Sequence, residues 1–424
     1  MQRFKQTIWV ALFLGWVSAN LYGSEFYLRD GDAVVFYGDS ITENGGYARL
    51  VEEYTVTRFP QWKVRFYYAG VGGDRVTGGA LGSLEERLSR DVIARRPTVV
   101  TVMLGMNDAG YRPFDETLFQ QYRQGYTTLV RRLKAELPGV RITVIQPSPF
   151  DDVSRSPQFE GGYDGVLRRY GEFVQELARE EGLLAVDFGE PLNQGVRRLM
   201  AWSGLLAQQL IPDRIHPGRA GHLLLGAALL RAWGAPATVT EVRLDAPSLQ
   251  VQGEVGTAVE ALERAESGGL RWSQRDRSLP LPLRRDDAEV KLAELAGAGL
   301  GDLNRQVLQV HGLPLGPWEL LIDGRSAGRW SSWELERGID LGGLWTPMLW
   351  EQSMPASWGL SARKTLQEVC RRLLATGRTT ELQSAAQALQ DWETVQVRQQ
   401  HESLQPRVRT WELQPRLQEA AGRQ

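Results

Sequence analysis

An α/β domain built on a parallel sheet, followed by a mixed α+β appendage, is the fold class that three observations predict. Short continuous apolar runs alternate with longer helical patterns between residues 32 and 233. Runs of that kind suit strands buried on both faces, as in parallel sheets, and the helices between them suit crossover connections. Past Gly234 the alternation stops, and scattered β-branched residues, prolines and a hairpin dipeptide take over.

Taken in order, residues 33–37 (AVVFY), 64–68, 98–104 (TVVTVML), 141–145 and 183–188 read as five strands. Residues 47–58, 81–94, 116–137, 163–181 and 219–233 read as the helices between and after them. The result is a three-layer domain whose binding crevice should lie beyond the carboxyl ends of the strands. In the appendage, residues 258–266 read as helix and 278–283 (SLPLPL) as an extended proline-containing element. Residues 306–310 and 318–322 read as strands, the second turned at Asp323-Gly324 into residues 326–330. Residues 360–393 read as helix, and the Gln- and Arg-rich end after Gln399 as poorly ordered.

Arg3 and Lys5 precede an apolar run over residues 8–17 and the small residues Ser18, Ala19 and Gly23. The run is short for a membrane span and its basic flank comes first, so it reads as a secretory signal peptide, an uncleaved anchor being the alternative. The expectation is a secreted or periplasmic chain. The formal charge of -2 supplies no basic field for nucleic acid. A single cysteine, Cys370, leaves no intramolecular disulfide and reads as a small core residue.

Four separated pieces carry chemistry: Gly38-Asp39-Ser40, Gly72-Gly73-Asp74, Gly105-Met106-Asn107-Asp108 and Asp213-Arg214-Ile215-His216-Pro217. The first three follow predicted strands, and the fourth precedes the last helix. Serine needs a base to become a nucleophile at neutral pH, and histidine suits that task. A carboxylate on the other ring nitrogen fixes the tautomer and stabilises the imidazolium. Asp213 lies three residues before His216, a spacing at which one turn presents both. The backbone N–H groups of Ser40 and Gly73 and the amide of Asn107 can supply oxyanion donors. Only four histidines exist, and His222, His311 and His401 read as packed, structural or exposed. Asp39 and Asp74 read as loop-stabilising acceptors, and Ser40 as a residue that caps the next helix as well as reacting.

In content and order these blocks resemble the SGNH hydrolases, or GDSL-type esterases and lipases, over residues 33–233. The resemblance implies a flavodoxin-like fold and a catalytic triad of Ser40, Asp213 and His216. It also implies an oxyanion hole at Ser40, Gly73 and Asn107, with no metal and no organic cofactor. Ile41 stands where the family name has leucine, and Tyr68 where asparagine is common. No His-Glu-x-x-His helix occurs.

The expected organisation is a signal peptide at 1–23, a catalytic domain at 24–234, a mixed linker at 235–305, a small β-sandwich-like module at 306–358 and a helical segment at 359–424. Trp318, Trp330, Trp333, Trp345 and Trp350 are stacking candidates for a polysaccharide, although filling the module's own core is the preferred reading. The expected activity is hydrolysis of a carboxylic ester through an acyl-enzyme, with a short acyl group on a carbohydrate as substrate. Lipase or lysophospholipase activity, acyl transfer to a sugar hydroxyl, and non-catalytic carbohydrate binding are the alternatives. The expected partner is a small-molecule or polysaccharide ester, with no nucleic acid and no membrane span in the mature chain.

Overall fold

A computed structural model describes residues 26–284, 286–342, 347–376 and 380–416. The signal-peptide reading, Trp345 and the last residues of the chain lie outside these.

Five strands form the first sheet: β1 (Ala33–Gly38), β2 (Arg65–Gly70), β3 (Val99–Met103), β4 (Arg141–Ile145) and β5 (Leu184–Val186). All pair in parallel, in the order β2-β1-β3-β4-β5. β1 and β3 are buried at every residue, which accounts for their unbroken apolar runs. The strand order reverses between β1 and β3, so the crevice at their carboxyl ends is where this topology places a site. The helices are α1 (Ser40–Asn44), α2 (Gly46–Arg58), α3 (Glu116–Glu136), α4 (Gly162–Glu181), α5 (Gly189–Met200) and α6 (Arg219–Ala232). α2 packs with α6, and α3 with α4. Two tyrosines of α3 reach the sheet, Tyr122 Oη donating to Leu104 O at 3.0 Å and Tyr126 Oη to Val102 O at 2.9 Å. Among the described residues no helix is long and apolar enough to cross a membrane.

One expectation in this domain needs correction. Residues 81–94 hold only a short helix, Leu84–Arg87, which loosens into a π turn over Leu88–Val92. A π turn inserts one residue into the helical repeat, and here the guanidinium of Arg87 is fully buried beside Asp74 and Asp91. Between β5 and α6 the chain is helical as well, α5 running to Met200 and a short helix following at Gly204–Gln208.

The appendage is a sandwich of two sheets, and its strands extend well beyond residues 306–358. Its members are β6 (Thr238–Asp245), β7 (Gln250–Val255), β8 (Thr257–Arg264), β9 (Leu270–Asp276), β10 (Arg305–His311), β11 (Pro317–Ile322), β12 (Arg325–Ser331), β13 (Ile339–Asp340) and β14 (Val408–Pro415). One sheet runs β8-β9-β14-β11-β12 and the other β13-β10-β6-β7. The helix expected at 258–266 is β8, whose side chains are mostly exposed. The end expected to be poorly ordered contains β14, an interior strand of its sheet. Trp272 and Trp411 face each other across the β9–β14 ladder with rings 5.8 Å apart, and Trp318 is buried in the same core. Trp330 packs against that core from the edge, whereas Trp333 is exposed beneath Arg337.

The sandwich and the sheet domain are clamped together at Arg58, the last residue of α2. Its buried guanidinium donates to Pro236 O and Thr238 O at 2.7 Å and to Leu303 O at 2.9 Å. The extended 278–283 element lies along the same helix end, with Leu279 N donating to Thr57 O at 2.8 Å. Between the last two sandwich strands the chain returns as α7 (Leu360–Thr376) and α8 (Thr380–Ser403). α7 covers β2, the edge of the parallel sheet: Gln367 Oε1 accepts from Tyr68 N at 2.8 Å while its Nε2 donates to Phe66 O at 3.0 Å. Arg371 adds a bond to Gly70 O at 3.0 Å. One glutamine amide therefore stands in for a neighbouring strand, satisfying backbone groups that a bare edge leaves open. Gln367→Leu strands a buried N–H and a buried C=O at once, and should lower stability by about 2 kcal/mol or more. Its urea midpoint is expected below that of the wild type; an unchanged midpoint would mean the edge does not depend on this side chain.

Candidate active site

The turn from β1 into α1 positions Ser40. Asp39 is the helix N-cap, its Oδ1 accepting from Ile41 N at 3.0 Å, so the cap is the aspartate and Ser40 is the first helical residue. Gly38 has no room for a side chain: a Cβ would lie 2.3 Å from Thr42 Oγ1 and 2.5 Å from Met103 O. α1 can cross the ends of β1 and β3 only because of that glycine.

Ser40 Oγ lies 2.8 Å from His216 Nε2, and His216 Nδ1 lies 2.6 Å from Asp213 Oδ2. An ionised carboxylate only accepts, so Nδ1 carries the proton and Nε2 accepts from the serine hydroxyl. The other oxygen of Asp213 accepts from Ile215 N at 3.0 Å and His216 N at 2.7 Å, closing the turn on itself. Burial alone would raise the Asp213 carboxyl; the hydrogen bonds from the His216 ring and from the His216 and Ile215 N–H groups outweigh it and hold it below its ordinary value. Serine, imidazole and carboxylate thus form a relay able to deprotonate the hydroxyl as it attacks.

The second and third blocks interlock. Gly73 sits at φ 74, in the left-handed region, at the exposed tip of the loop after β2. That loop is fixed at its start by Val71 N donating to Gly38 O at 3.0 Å. It is fixed again by the buried pair of Asp74 with Arg87 at 3.1 Å. Asn107 Nδ2 donates to Asp74 O at 3.0 Å, which uses one amide hydrogen and leaves the other. Asp108 Oδ1 accepts from Val76 N at 2.9 Å, tying the two loops a second time. Asp39, Asp74 and Asp108 are therefore loop-holding acceptors, as read for the first two.

Three residues near the site escaped the sequence. Tyr111 adopts φ 54 and donates its hydroxyl to Asn107 Oδ1 at 2.9 Å. Its ring stacks on Tyr163 at 4.9 Å. A flipped Asn107 amide would set Oδ1 against Asp74 O, so the two bonds together fix which end of the amide faces the crevice. Arg214 adopts φ 73 between Asp213 and His216, its O accepting from Asp151 N at 2.9 Å and its guanidinium lying over Phe150. Phe150 in turn meets the Tyr163 ring edge-on, so residues 150–163 join the asparagine loop to the histidine loop. Arg87 is the third. Strained non-glycine residues at two loops of one site were the only available signal, and φ values are not visible in a sequence.

The remaining histidines stand apart from the relay. His222 is buried and accepts from Tyr47 N at 3.3 Å, and His311 pairs with Glu336 at 2.8 Å. Cys370 is buried within the C-terminal helices. Among the described residues no group of three or more His, Cys, Asp or Glu side chains is placed to hold a metal ion.

Residues 36–224 match the model of the GDSL-like lipase/acylhydrolase family. The α/β domain belongs to that family, within the SGNH hydrolases. An acetylxylan esterase of Geobacillus stearothermophilus is 29% identical over 233 residues, which cover 49% of this chain and 96% of that one. The crystal structure of an acetylxylan esterase from the same organism aligns over 49% of this chain and 96% of its own, at 27% identity and a TM-score of 0.41. A gut microbial diltiazem-metabolizing enzyme superposes over 92% of this chain and 98% of its own with a TM-score of 0.80 and 23% identity, so the GDSL-like domain and its appendage together form a shared fold. By the family match and the acetylxylan esterase relative, the α/β domain is that of an SGNH-type esterase.

The buried acids beside this site make its stability depend on pH. Burial pushes Asp108 up to about 7, against the hydrogen bond from Val76 N that favours the charged form. An unfolded Asp titrates near ~3.9. As pH rises from about 4, the unfolded chain releases this proton first, so stability present below that pH is lost progressively up to about 7. Asp108→Asn removes the titration, and its melting temperature should fall less across that window than the wild type's. Parallel curves would assign the pH dependence to other groups.

Proposed function

We propose that this esterase removes short acyl groups, acetyl above all, from a carbohydrate through a serine acyl-enzyme. The observation that carries the mechanism is the continuous relay from Ser40 through His216 to Asp213. Ser40 Oγ attacks the ester carbonyl carbon while His216 Nε2 takes its proton, and Asp213 stabilises the imidazolium. The N–H groups of Ser40 and Gly73 and the unused amide hydrogen of Asn107 receive the oxyanion. Collapse expels the alcohol oxygen, which takes the proton from His216. Water, deprotonated by the same imidazole, then attacks the acyl carbonyl, releasing the acid and restoring Ser40. The carbohydrate reading rests on the acetylxylan esterase relative. Action outside the cytoplasm is part of the same reading and rests on the basic and apolar N-terminal segment.

Ser40→Ala should abolish acetate release from acetylated xylobiose and from p-nitrophenyl acetate while leaving the circular dichroism spectrum unchanged; a fully active variant would sink the mechanism. Asn107→Ala should lower kcat by about 100-fold with little change in KM, the mark of a group used in the transition state. Tyr111→Phe keeps the ring stack and removes only the bond that orients Asn107. It should lower kcat by about 10-fold in the wild type and hardly at all in an Asn107→Ala background. Equal losses in both backgrounds would separate Tyr111 from the oxyanion donor.

A further inference from the structure

Beside the relay, the first turns of α2 and α6 leave a cavity of about 430 Å³ between them. Arg49 and Glu53 line it from α2, Pro217 and His222 from the segment after His216, and Leu283 and Ser357 from the appendage. Neither the sheet domain nor the appendage encloses it alone.

The chemistry of the walls narrows the occupant. His222 is only 2% exposed, and accepting from Tyr47 N through Nδ1 places its proton on Nε2. Burial holds the ring neutral, its pKa lowered to about 3, so that N–H persists at working pH. Among the described residues Nε2 has no partner, and the atom is itself closed off, so His222 walls the cavity without offering it a donor. Glu53, whose carboxyl is raised by burial and receives the Ser357 hydroxyl, supplies acceptor oxygens next to the guanidinium of Arg49. Pro217 and Leu283 add apolar wall. A free anion would meet the carboxyl, a cation the guanidinium, and an apolar ligand would leave both Glu53 and Arg49 unmet. Hydroxyl groups, each both donor and acceptor, on a ring with apolar C–H faces meet all of these walls.

Position adds a second argument. The departing alcohol takes its proton from His216, so the alcohol half of the ester must lie on the histidine side of Ser40. Pro217 is the next residue in that loop and already a wall of the cavity.

We infer that this cavity is a saccharide subsite for the alcohol half of the ester, completed by the appendage through Leu283 and Ser357. It rests on the reading of the substrate as a carbohydrate ester.

The test fills the cavity with Leu283→Trp and alters its acceptor with Glu53→Gln. The ratio of kcat/KM on acetylated xylobiose to kcat/KM on p-nitrophenyl acetate, whose alcohol carries no sugar hydroxyls, should fall at least 10-fold in both variants. Binding of unacetylated xylotriose to the Ser40→Ala chain, followed by saturation-transfer NMR, should be lost when Leu283→Trp is added. An unchanged ratio together with unchanged xylotriose binding would overturn the subsite while leaving the esterase reading intact, the cavity then holding water alone. Wild-type hydrolysis of p-nitrophenyl acetate but not of acetylated xylobiose would defeat the carbohydrate reading. In that case xylotriose binding lost in Leu283→Trp would uphold the cavity as a saccharide site but overturn its role for the alcohol half, and the absence of binding in the parent would overturn both.

Discussion

Everything at the crevice depends on how closely α1 approaches the sheet at Gly38. With a Cβ there, Thr42 and the carbonyl of Met103 would be driven apart, and β1 could not turn directly into a helix over its own end. That close turn carries Ser40 to the topological switch point and leaves Gly38 O free to hold the start of the Gly73 loop through Val71 N. The adjacent strand β3 then delivers Asn107 to the same place, because parallel strands in register end at one edge. His216 completes the set from outside the sheet, on a turn whose geometry Asp213 closes by bonding its own backbone.

The site's arrangement was legible in the residues because each block makes a local demand that a short sequence can express. A nucleophile after a strand, a glycine at a loop tip and a carboxylate three residues before a histidine all keep their meaning without knowledge of the fold. What was not legible depends on partners that only the fold brings into contact. Tyr111 matters through the Asn107 amide, Arg214 through Phe150, and Arg87 through Asp74, and none of these pairings has a sequence pattern. The cap at Asp39 was assigned to its neighbour Ser40 because both residue types cap helices equally well.

The parallel strands were readable for a related reason: burial on both faces forces unbroken apolar runs. The sandwich is different. β8 carries Ala, Leu and Glu on mostly exposed positions, a composition that favours helix, and it forms a strand because the β9 ladder is available to it. Its register shifts between Glu260 and Glu263, which further blurs any period of two. β14 was obscured by its Gln- and Arg-rich surroundings, although Trp411 and Leu413 point into the core. Arg58 and Gln367 explain why the two parts behave as one fold: a guanidinium and an amide replace the backbone partners that neither part provides for the other.

The place of β14 has a consequence for how the molecule is made. The strand that is latest in sequence among those described sits between β9 and β11, and both of its neighbours pair on their other side with a strand of their own. During synthesis the two hairpins therefore wait, each with an open, hydrogen-bonding edge, until residues 408–415 have left the ribosome. The sheet domain has its strands complete by Val186, and its open β2 edge waits only for Gln367 and Arg371, both made before β14. A chain halted shortly before Val408 would thus carry a finished relay on an unfinished sandwich, with two adhesive edges exposed to chaperones, proteases and other copies of itself.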